Sequence, residues 1–514
     1  MRQPSESAAR TSEAPGSPPP RLTPILAGMT CGALALVLYL ASNDPLVSHE
    51  DVAEFQTLAA TGGIAHAGYP AYVALLQLAG HLPFGTYAFK ANLLSCVAGA
   101  FASGLAAYGG AVLCSSPIAG LLGGIVFALS FTAWRESSHA EVYSFTLALN
   151  AALFLLAIRL DRRLSAPTVF AGSLLFGLGL VSHLVTLALL PVILFVLVRA
   201  WRAGSWSRAT TMGAIVGLLC GLSPTLYLLQ MDRPGQPMNY IEDTLDPASG
   251  RYVDPREMPR GRLERAAWLL STRQYLAGGW FHPFKETGQR LRSLVVHLLV
   301  NDFPGVGLAV AGVGLLGLLA RGSPGLAGML LWMMGTIFWL LFGAVPMVVT
   351  QFFLPGVWLL SLCVAAGVAV FSNRSRSRLT LAAALLLLGP VMRLSAAEPP
   401  AALEGHPLVV AAWSQWPERW HPFHRDARWD RYGRQVMAEV APRAIVMTCW
   451  DEGTTLRYFR YAEKLRVDVD VAMTCWEPTR VRNLVQAADS AARPVYVTFH
   501  PGRAGLGVDQ WRAV

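Results

Sequence analysis

An all-α polytopic membrane protein with a small α/β domain at its C-terminal end is the architecture this sequence predicts, on three observations. The 514-residue chain is 54% hydrophobic and only 14% charged, against roughly 25% charged in ordinary soluble domains. Its apolar residues gather into runs that approach the roughly 20 residues needed to cross a bilayer. From Ala396 onward the composition turns polar and short strands alternate with helices, the pattern of a parallel α/β unit. The net charge of +9 raises nucleic acid as a partner. The arginines, however, fall largely in short loops between apolar runs, where they fix membrane orientation. Nucleic acid is therefore excluded, and the lipid bilayer is the partner that composition implies.

Taken in order, residues 1–23 are rich in Ser, Pro, Ala and Arg and too poor in apolar side chains to fold, which predicts a disordered cytoplasmic tail. The run from Pro24 to about Ala41 has no clear small-residue cleavage site and leads at once into further spans, so it reads as a retained first span. It opens an N-terminal transmembrane module, 24–229, whose first outer loop is 42–88. Further spans are expected at about 89–113, 117–133, 144–160, 167–182, 184–200 and 210–229. After a long outer loop, 230–302, come 303–320, 325–344, 352–371 and 378–394, within a second set of helices over 303–394. The total is about eleven. The apolar stretch Val169–Val198 is long enough for one tilted helix, but Ser182-His183 interrupts it, and a histidine at bilayer depth is costly. Splitting the stretch there puts His183 at an interface.

Orientation tests the split. With the N-terminus inside, Arg159, Arg162 and Arg163, the stretch from Arg199 through Arg202 to Arg208, Arg321, and Arg374, Arg376 and Arg378 all fall on the cytoplasmic side, as the positive-inside rule requires. The loop around Asp51, the patch Trp134–Tyr143, His183, the 230–302 loop and the soluble domain, 395–514, then share the extracytoplasmic face. An integral protein of a bacterial inner membrane is expected.

On that face the ionisable groups cluster. Asp51 and Glu54 lie three residues apart just past the first span. On a helix they project from one face, so that one carboxylate serves as base while the other orients a substrate or ion. Gly68-Tyr69-Pro70 is expected to stop that helix, with His66 on the exit loop. In Trp134–Tyr143, Arg135 or His139 could bind phosphate oxygens, arginine through its bidentate fork, and Glu141 could hold a substrate hydroxyl. The competing reading is an interfacial belt of snorkelling charges and aromatic anchors. Arg233 and Asn239 sit in a turn-rich segment, and Arg273 follows a short amphipathic stretch. A loop this long in a membrane enzyme is more often functional than idle. A divalent metal at Asp51, Glu54 and His66 is conceivable, but the spacing does not support it.

The order of these motifs carries a resemblance. His-Glu-Asp-Val-Ala-Glu-Phe at 49–55, Gly-Ile-Ala-His-Ala-Gly-Tyr-Pro-Ala-Tyr at 63–72, the segments 82–95, 134–144 and 180–187, Asn239-Tyr240, and Ser271–Tyr275 together resemble a family of polytopic proteins. That family includes a eukaryotic protein O-mannosyltransferase and many uncharacterised bacterial members, and the likeness covers most of residues 30–280. It implies the GT-C class of glycosyltransferases, with a polyprenyl-phosphate-linked sugar as donor and a catalytic carboxylate in the first outer loop. The family's Asp-x-x-Glu-Phe falls on Asp51, Glu54 and Phe55. Its histidine before Gly-Tyr-Pro falls on His66, ahead of Tyr69, and its Ala-Glu-Val-Tyr falls on Ala140–Tyr143, which includes Tyr143. Val52-Ala53 and Ala67 depart from the family pattern while every ionisable group is kept.

In the C-terminal domain the pattern predicts a helix near 430–440, strand 444–448, helix 454–465, strand 467–474, helix 479–491 and strand 494–498. The segment 442–473 resembles the soluble tail of many bacterial members. Met-Thr-Cys-Trp occurs at 447–450 and 473–476, at the C-terminal ends of two strands, where α/β sheets place ligands. Cys449 and Cys475 are either a disulfide or plain strand-end cysteines, and Asp451 and Glu452 are expected to cap the next helix. The function expected is transfer of a sugar, with inversion, from a lipid-phosphate donor to the hydroxyl of an acceptor protein, lipid or glycan. The catalytic residues are Asp51 and Glu54, and Arg135, His139, Arg233 and Arg273 are candidates to stabilise the leaving phosphate. A transporter or flippase for a lipid-linked or anionic substrate is the alternative, and an inert scaffold a third.

Overall fold

The computed structural model describes residues 23–159, 164–245, 259–271, 284–304, 306–322, 324–342, 350–372, 376–395, 426–474 and 478–499. The expected N-terminal tail, Arg273 and Cys475 lie outside them. The chain is mostly helical. In order, its helices are α1 (Pro24–Ala41), α2 (Glu50–Thr61), α3 (Pro70–Gly80), α4 (Tyr87–Cys114), α5 (Pro117–Leu129), α6 (Phe131–Ser138), α7 (Val142–Arg159), α8 (Ala166–Leu180), α9 (Leu190–Arg202), α10 (Arg208–Leu222) and α11 (Thr225–Met231). They continue as α12 (Tyr240–Leu245), α13 (Arg262–Leu270), α14 (Phe284–His297), α15 (Gly307–Ala320), α16 (Pro324–Phe342), α17 (Leu354–Ser372) and α18 (Arg376–Ser395).

Among the described residues five helical segments are long and apolar enough to cross a membrane: 24–41, 87–114, 184–202, 208–231 and 351–372. The bent pair α5 and α6 makes a sixth if counted as one span. Four more segments read as spans, 142–158, 166–180, 307–320 and 325–341, are apolar helices of 10–17 residues. This is an integral membrane protein. Its core is made by α17, which is almost wholly buried, with Trp358 donating its indole N–H to the Ala102 carbonyl (3.0 Å) on α4. Small residues bring the helices together, as is usual where lipid removes the hydrophobic drive for helix association. A methyl group on Gly28 of α1 would sit 3.0 Å from the Gly104 carbonyl of α4, and one on Gly314 of α15 would sit 1.8 Å from the Cys363 carbonyl of α17.

The split at His183 holds: α8 ends at Leu180, and a 3-10 turn, Leu184–Leu189, restarts the chain into α9. His183 caps that turn by accepting the Val185 N–H on Nδ1 (3.0 Å).

Three expectations need correction. The helix bearing Asp51 ends at Thr61, because Gly62 (φ 62°) and Gly63 (φ 125°) take up conformations that side-chain-bearing residues avoid. Pro70 instead opens α3, at the first-turn position where its missing N–H costs nothing. The segment 117–133 is not one straight span. It bends by 64° between α5 and α6, where Ser130 turns its hydroxyl back onto the Phe127 carbonyl (2.8 Å) and Asp302 accepts the Thr132 N–H (2.8 Å). Consequently the first half of the Trp134–Tyr143 patch, 134–138, is helix α6 and not loop, and its last two residues open α7.

The C-terminal domain follows the expected order closely. Helix α19 (Arg428–Glu439) leads to strand β1 (Ile445–Thr448), helix α20 (Trp450–Arg457), strand β2 (Asp470–Met473), helix α21 (Pro478–Ser490) and strand β3 (Val495–Val497). The three strands pair in parallel in the order β2-β1-β3. Helix α20 begins four residues earlier than the sequence suggests, directly off the end of β1, and a π turn, Tyr458–Ala462, extends it. Asp451 and Glu452 therefore lie in its first turn, beyond the capping position held by Cys449. Their charge still favours the positive helix end.

Gly63 is where the segment between α2 and α3 meets the one between α11 and α12. Ile64 donates to the Met238 carbonyl (2.8 Å) and Tyr240 donates to the Ile64 carbonyl (3.1 Å), so a Cβ at Gly63 would fall 2.1 Å from the Met238 oxygen. Gly63→Ala should lower thermal stability by about 2–3 kcal/mol or prevent accumulation of folded protein. Gly312→Ala, where nothing lies within 4 Å, should be neutral or slightly stabilising. Melting of both variants in detergent checks the contrast.

Candidate active site

Helix α2 carries Asp51 and Glu54 on one face, as their spacing requires, and the loop that returns to α3 delivers His66 between them. Glu54, with its side chain only 3% exposed, accepts the His66 backbone N–H (3.0 Å) and lies 2.6 Å from the imidazole Nδ1. On the other side of the ring, Nε2 lies 3.5 Å from Asp51 Oδ2. Asp51 is the accessible partner, with a side chain 35% exposed. Its Oδ1 accepts a hydrogen bond from the indole Nε1 of Trp450 (2.9 Å), a residue of α20 in the C-terminal domain.

Electrostatics give the three groups different tasks. Burial works against the His66 imidazolium, but the carboxylates of Asp51 and Glu54 outweigh it and push the group up to about 9. At neutral pH His66 is thus a cation held by two acids. Burial raises the Glu54 carboxyl, against the charge and hydrogen bonds of His66. Both ring nitrogens face carboxylates, so His66 offers no lone pair for coordination. Among the described residues, no group of three or more His, Cys, Asp or Glu is arranged to hold a metal ion.

Aromatic rings extend the site. His66 meets Tyr69, Tyr240 and Trp450 edge-on, at centroid distances of 5.4, 6.3 and 5.6 Å. Tyr69 stacks on His183 (5.7 Å), and His183 meets Tyr143 (5.3 Å). Tyr69 holds its place in the left-handed region (φ 45°, ψ 47°) directly before a proline, a conformation costing about 1–2 kcal/mol that persists only where the surroundings enforce it. His66, Tyr69, Tyr143 and His183, scattered over more than a hundred positions, are therefore brought together.

The turn after α6 is bound to the same loop. Asn92 on α4 accepts from the Ala140 N–H (2.8 Å) and from Gln56 (3.3 Å), and donates to the Asp44 carbonyl (2.9 Å). Ser95 and the Glu141 backbone bond reciprocally (3.2 and 3.0 Å). Burial, and next the charges of Asp51 and Glu136, hold the Glu141 carboxyl well above the usual range. Arg135 is 45% exposed and lies 3.9 Å from Glu136. It is the candidate cation at this end.

His139 does not fit the expected phosphate-binding role. Its Nδ1 lies 3.1 Å from the Arg135 carbonyl, and burial pushes it down to about 4, leaving it neutral near pH 7. Arg233 is exposed and bonded to Gln236 (3.3 Å). Asn239 is buried and spends its amide on Asp232 (3.2 Å), which also takes a bidentate pair from Arg265 (2.7 Å each). It shapes the wall that carries Tyr240. Glu136, Gln56 and Asn92 are not among the residues the sequence singles out. The signal available was a polar residue inside an otherwise apolar run, as for Asn92. Trp450 had only the strand-end position of its motif.

Fold and site together describe a polytopic, mostly helical membrane protein with acidic and imidazole groups clustered beside its C-terminal domain. Residues 51–207 match the family model described as the Protein O-mannosyl-transferase TMEM260 N-terminal domain. Mouse Protein O-mannosyl-transferase TMEM260 is 29% identical over 225 residues, which is 41% of this chain and 32% of the relative. The chain thus matches about a third of that relative's length. Among solved structures, ArnT from Cupriavidus metallidurans bound to undecaprenyl phosphate superposes with a TM-score of 0.55 at 13% identity, covering 91% of this chain and 89% of that one. Its apo state gives 0.54 at 12% identity, with the same coverage. At such identities the likeness is one of fold. The O-mannosyltransferase that the motifs resemble is thus the one to which residues 51–207 are similar.

His66 couples the site to pH. Its charged form is stabilised on folding, so the contribution is complete below the ordinary value of 6.5 and is lost as pH rises through about 9. The melting temperature of the protein should fall across that window, and His66→Gln should flatten the dependence. Parallel curves for parent and variant would contradict the pairing.

Proposed function

We propose that the protein transfers a sugar from a polyprenyl-phosphate donor to an acceptor hydroxyl, with inversion, and that Asp51 is the general base. The observation that carries this reading is the division of labour around His66. Glu54 is buried and committed to the ring, whereas Asp51 keeps part of its carboxylate open to solvent. An acceptor O–H bound at Asp51 gives up its proton to the carboxylate as its oxygen attacks the anomeric carbon. The bond from that carbon to the phosphate oxygen breaks, and the lipid phosphate leaves with the electron pair. Base catalysis of this kind contributes about 10²–10⁴-fold. His66, cationic and held by Glu54, fixes Asp51 and keeps two neighbouring acids from repelling one another. Arg135 is the candidate to stabilise the departing phosphate.

The similarity to an O-mannosyltransferase over 51–207 supports a hexose, mannose in the first instance, and the fold of a protein crystallised with undecaprenyl phosphate supports a lipid-linked donor. The acceptor is a protein, lipid or glycan. The orientation follows from the distribution of arginines, with the site and the C-terminal domain outside the cytoplasm of a bacterial inner membrane. Crowding of titratable groups at one end of the helices favours this reading over a transporter, which would place them near the midplane.

Asp51→Asn should cut transfer from radiolabelled undecaprenyl-phosphate mannose in membranes by about 10²–10⁴-fold. Glu54→Gln should cost less, about 10- to 100-fold, corresponding to one charge-assisted hydrogen bond. Full transfer by Asp51→Asn would remove Asp51 from the role of base.

A further inference from the structure

The C-terminal domain touches the first outer loop at more points than a tethered module needs. Val47, Ala53 and Ala88 of the membrane part share one buried cluster with Met437, Val446, Leu456 and Phe459. Thr455 donates to the Ser48 carbonyl (2.9 Å), Arg457 pairs with Asp243 (2.6 Å), and the ring of Trp429 stacks on His49 at 4.7 Å. Val47, Ser48 and His49 lead into α2 and Ala53 lies on it, while Ala88 is on α4 and Asp243 on α12. The carboxyl end of central strand β1 points at this interface, because α20 springs directly from it with Trp450 as its first residue. That is the edge at which parallel sheets place functional groups.

Trp450 alone among these contacts reaches the carboxylate of Asp51, across 399 positions of sequence. An indole N–H donates and cannot accept, so the Asp51 oxygen is the acceptor of this bond. The N–H fills one lone-pair direction on Oδ1, while Oδ2 faces His66. The carboxylate is thereby held from two sides, and its remaining open face is the one an acceptor can approach. The ring also closes the aromatic wall, 5.6 Å from His66 and 6.1 Å from Tyr240.

We propose that Trp450 is a positioning residue of the active site, and that the C-terminal α/β domain forms the site's outer wall. This inference rests on the reading of Asp51 as base. The full-length chain in nanodiscs, supplied with undecaprenyl-phosphate mannose, tests it. Trp450→Phe keeps the ring and loses the donor. It should lower kcat about tenfold or more with the donor KM changed by less than about twofold, at an unchanged melting temperature. Trp450→His, which restores a ring N–H, should recover part of the rate. Thr455→Val, which removes a docking bond without touching Asp51, should stay within about twofold of the parent. Turnover of Trp450→Phe within twofold of the parent, or a loss matched by Thr455→Val, would overturn the proposal. Should the parent fail to use this donor, or Asp51→Asn transfer at the parent rate, the reading of Asp51 as base fails by itself. The pinning is then judged by hydrogen exchange. Amides of residues 48–54 should exchange several-fold faster in Trp450→Phe, and equal exchange would overturn it.

Discussion

A charged imidazole lodged between two carboxylates is the constraint on which the rest of this site depends. An isolated ion in so enclosed a position would carry a desolvation cost of several kcal/mol. Paired on both nitrogens, His66 offsets that cost and ties α2 to the loop that returns to α3. One carboxylate is used up in holding the ring. The other is left oriented and partly open to solvent, as the proposed role of base needs. The left-handed backbone at Tyr69 and the glycines at 62 and 63 serve the same end, since they turn the chain sharply enough to bring His66 back over α2.

The membrane helices position this constellation and do not build it. Close approach of glycines along α1, α4, α5, α15 and α17 gives a rigid block, and Asn92 projects from that block to hold the segment before α2 and the turn before α7 in one place. On the opposite side the C-terminal domain presses on α2. The site is thus an interlayer between a lipid-embedded scaffold and a small parallel sheet, with Asp51 reached from the second by Trp450 and oriented from the first through Glu54 and His66.

Much of this was legible in the sequence, for reasons that can be named. The hydrophobic runs give the helices, the cost of a histidine in lipid gives the break at 182–183, and alternating strand and helix patterns give the order of elements in the C-terminal unit, though not the early start of α20. Asp51, Glu54 and His66 were readable because helical spacing and proximity in sequence placed them together. What composition could not convey was distance in space. The Trp450 indole meets a carboxylate 399 residues away, and no periodicity encodes that. The bend at Ser130 was hidden because its cause, Asp302 binding the Thr132 backbone, is 170 residues distant. His139 looked like a cation because its residue type can be one, and only burial shows that it stays neutral.

The central claim, that Asp51 acts as base while held from the C-terminal domain, is tested most directly by a double-mutant cycle on the transfer rate. The cycle uses Asp51→Asn, Trp450→Phe and the two combined. If the indole acts through the carboxylate, the second change adds almost nothing once the first is made, and the combined variant is as slow as Asp51→Asn alone. Losses that multiply in the combined variant would mean that the two residues work independently, and would contradict the account.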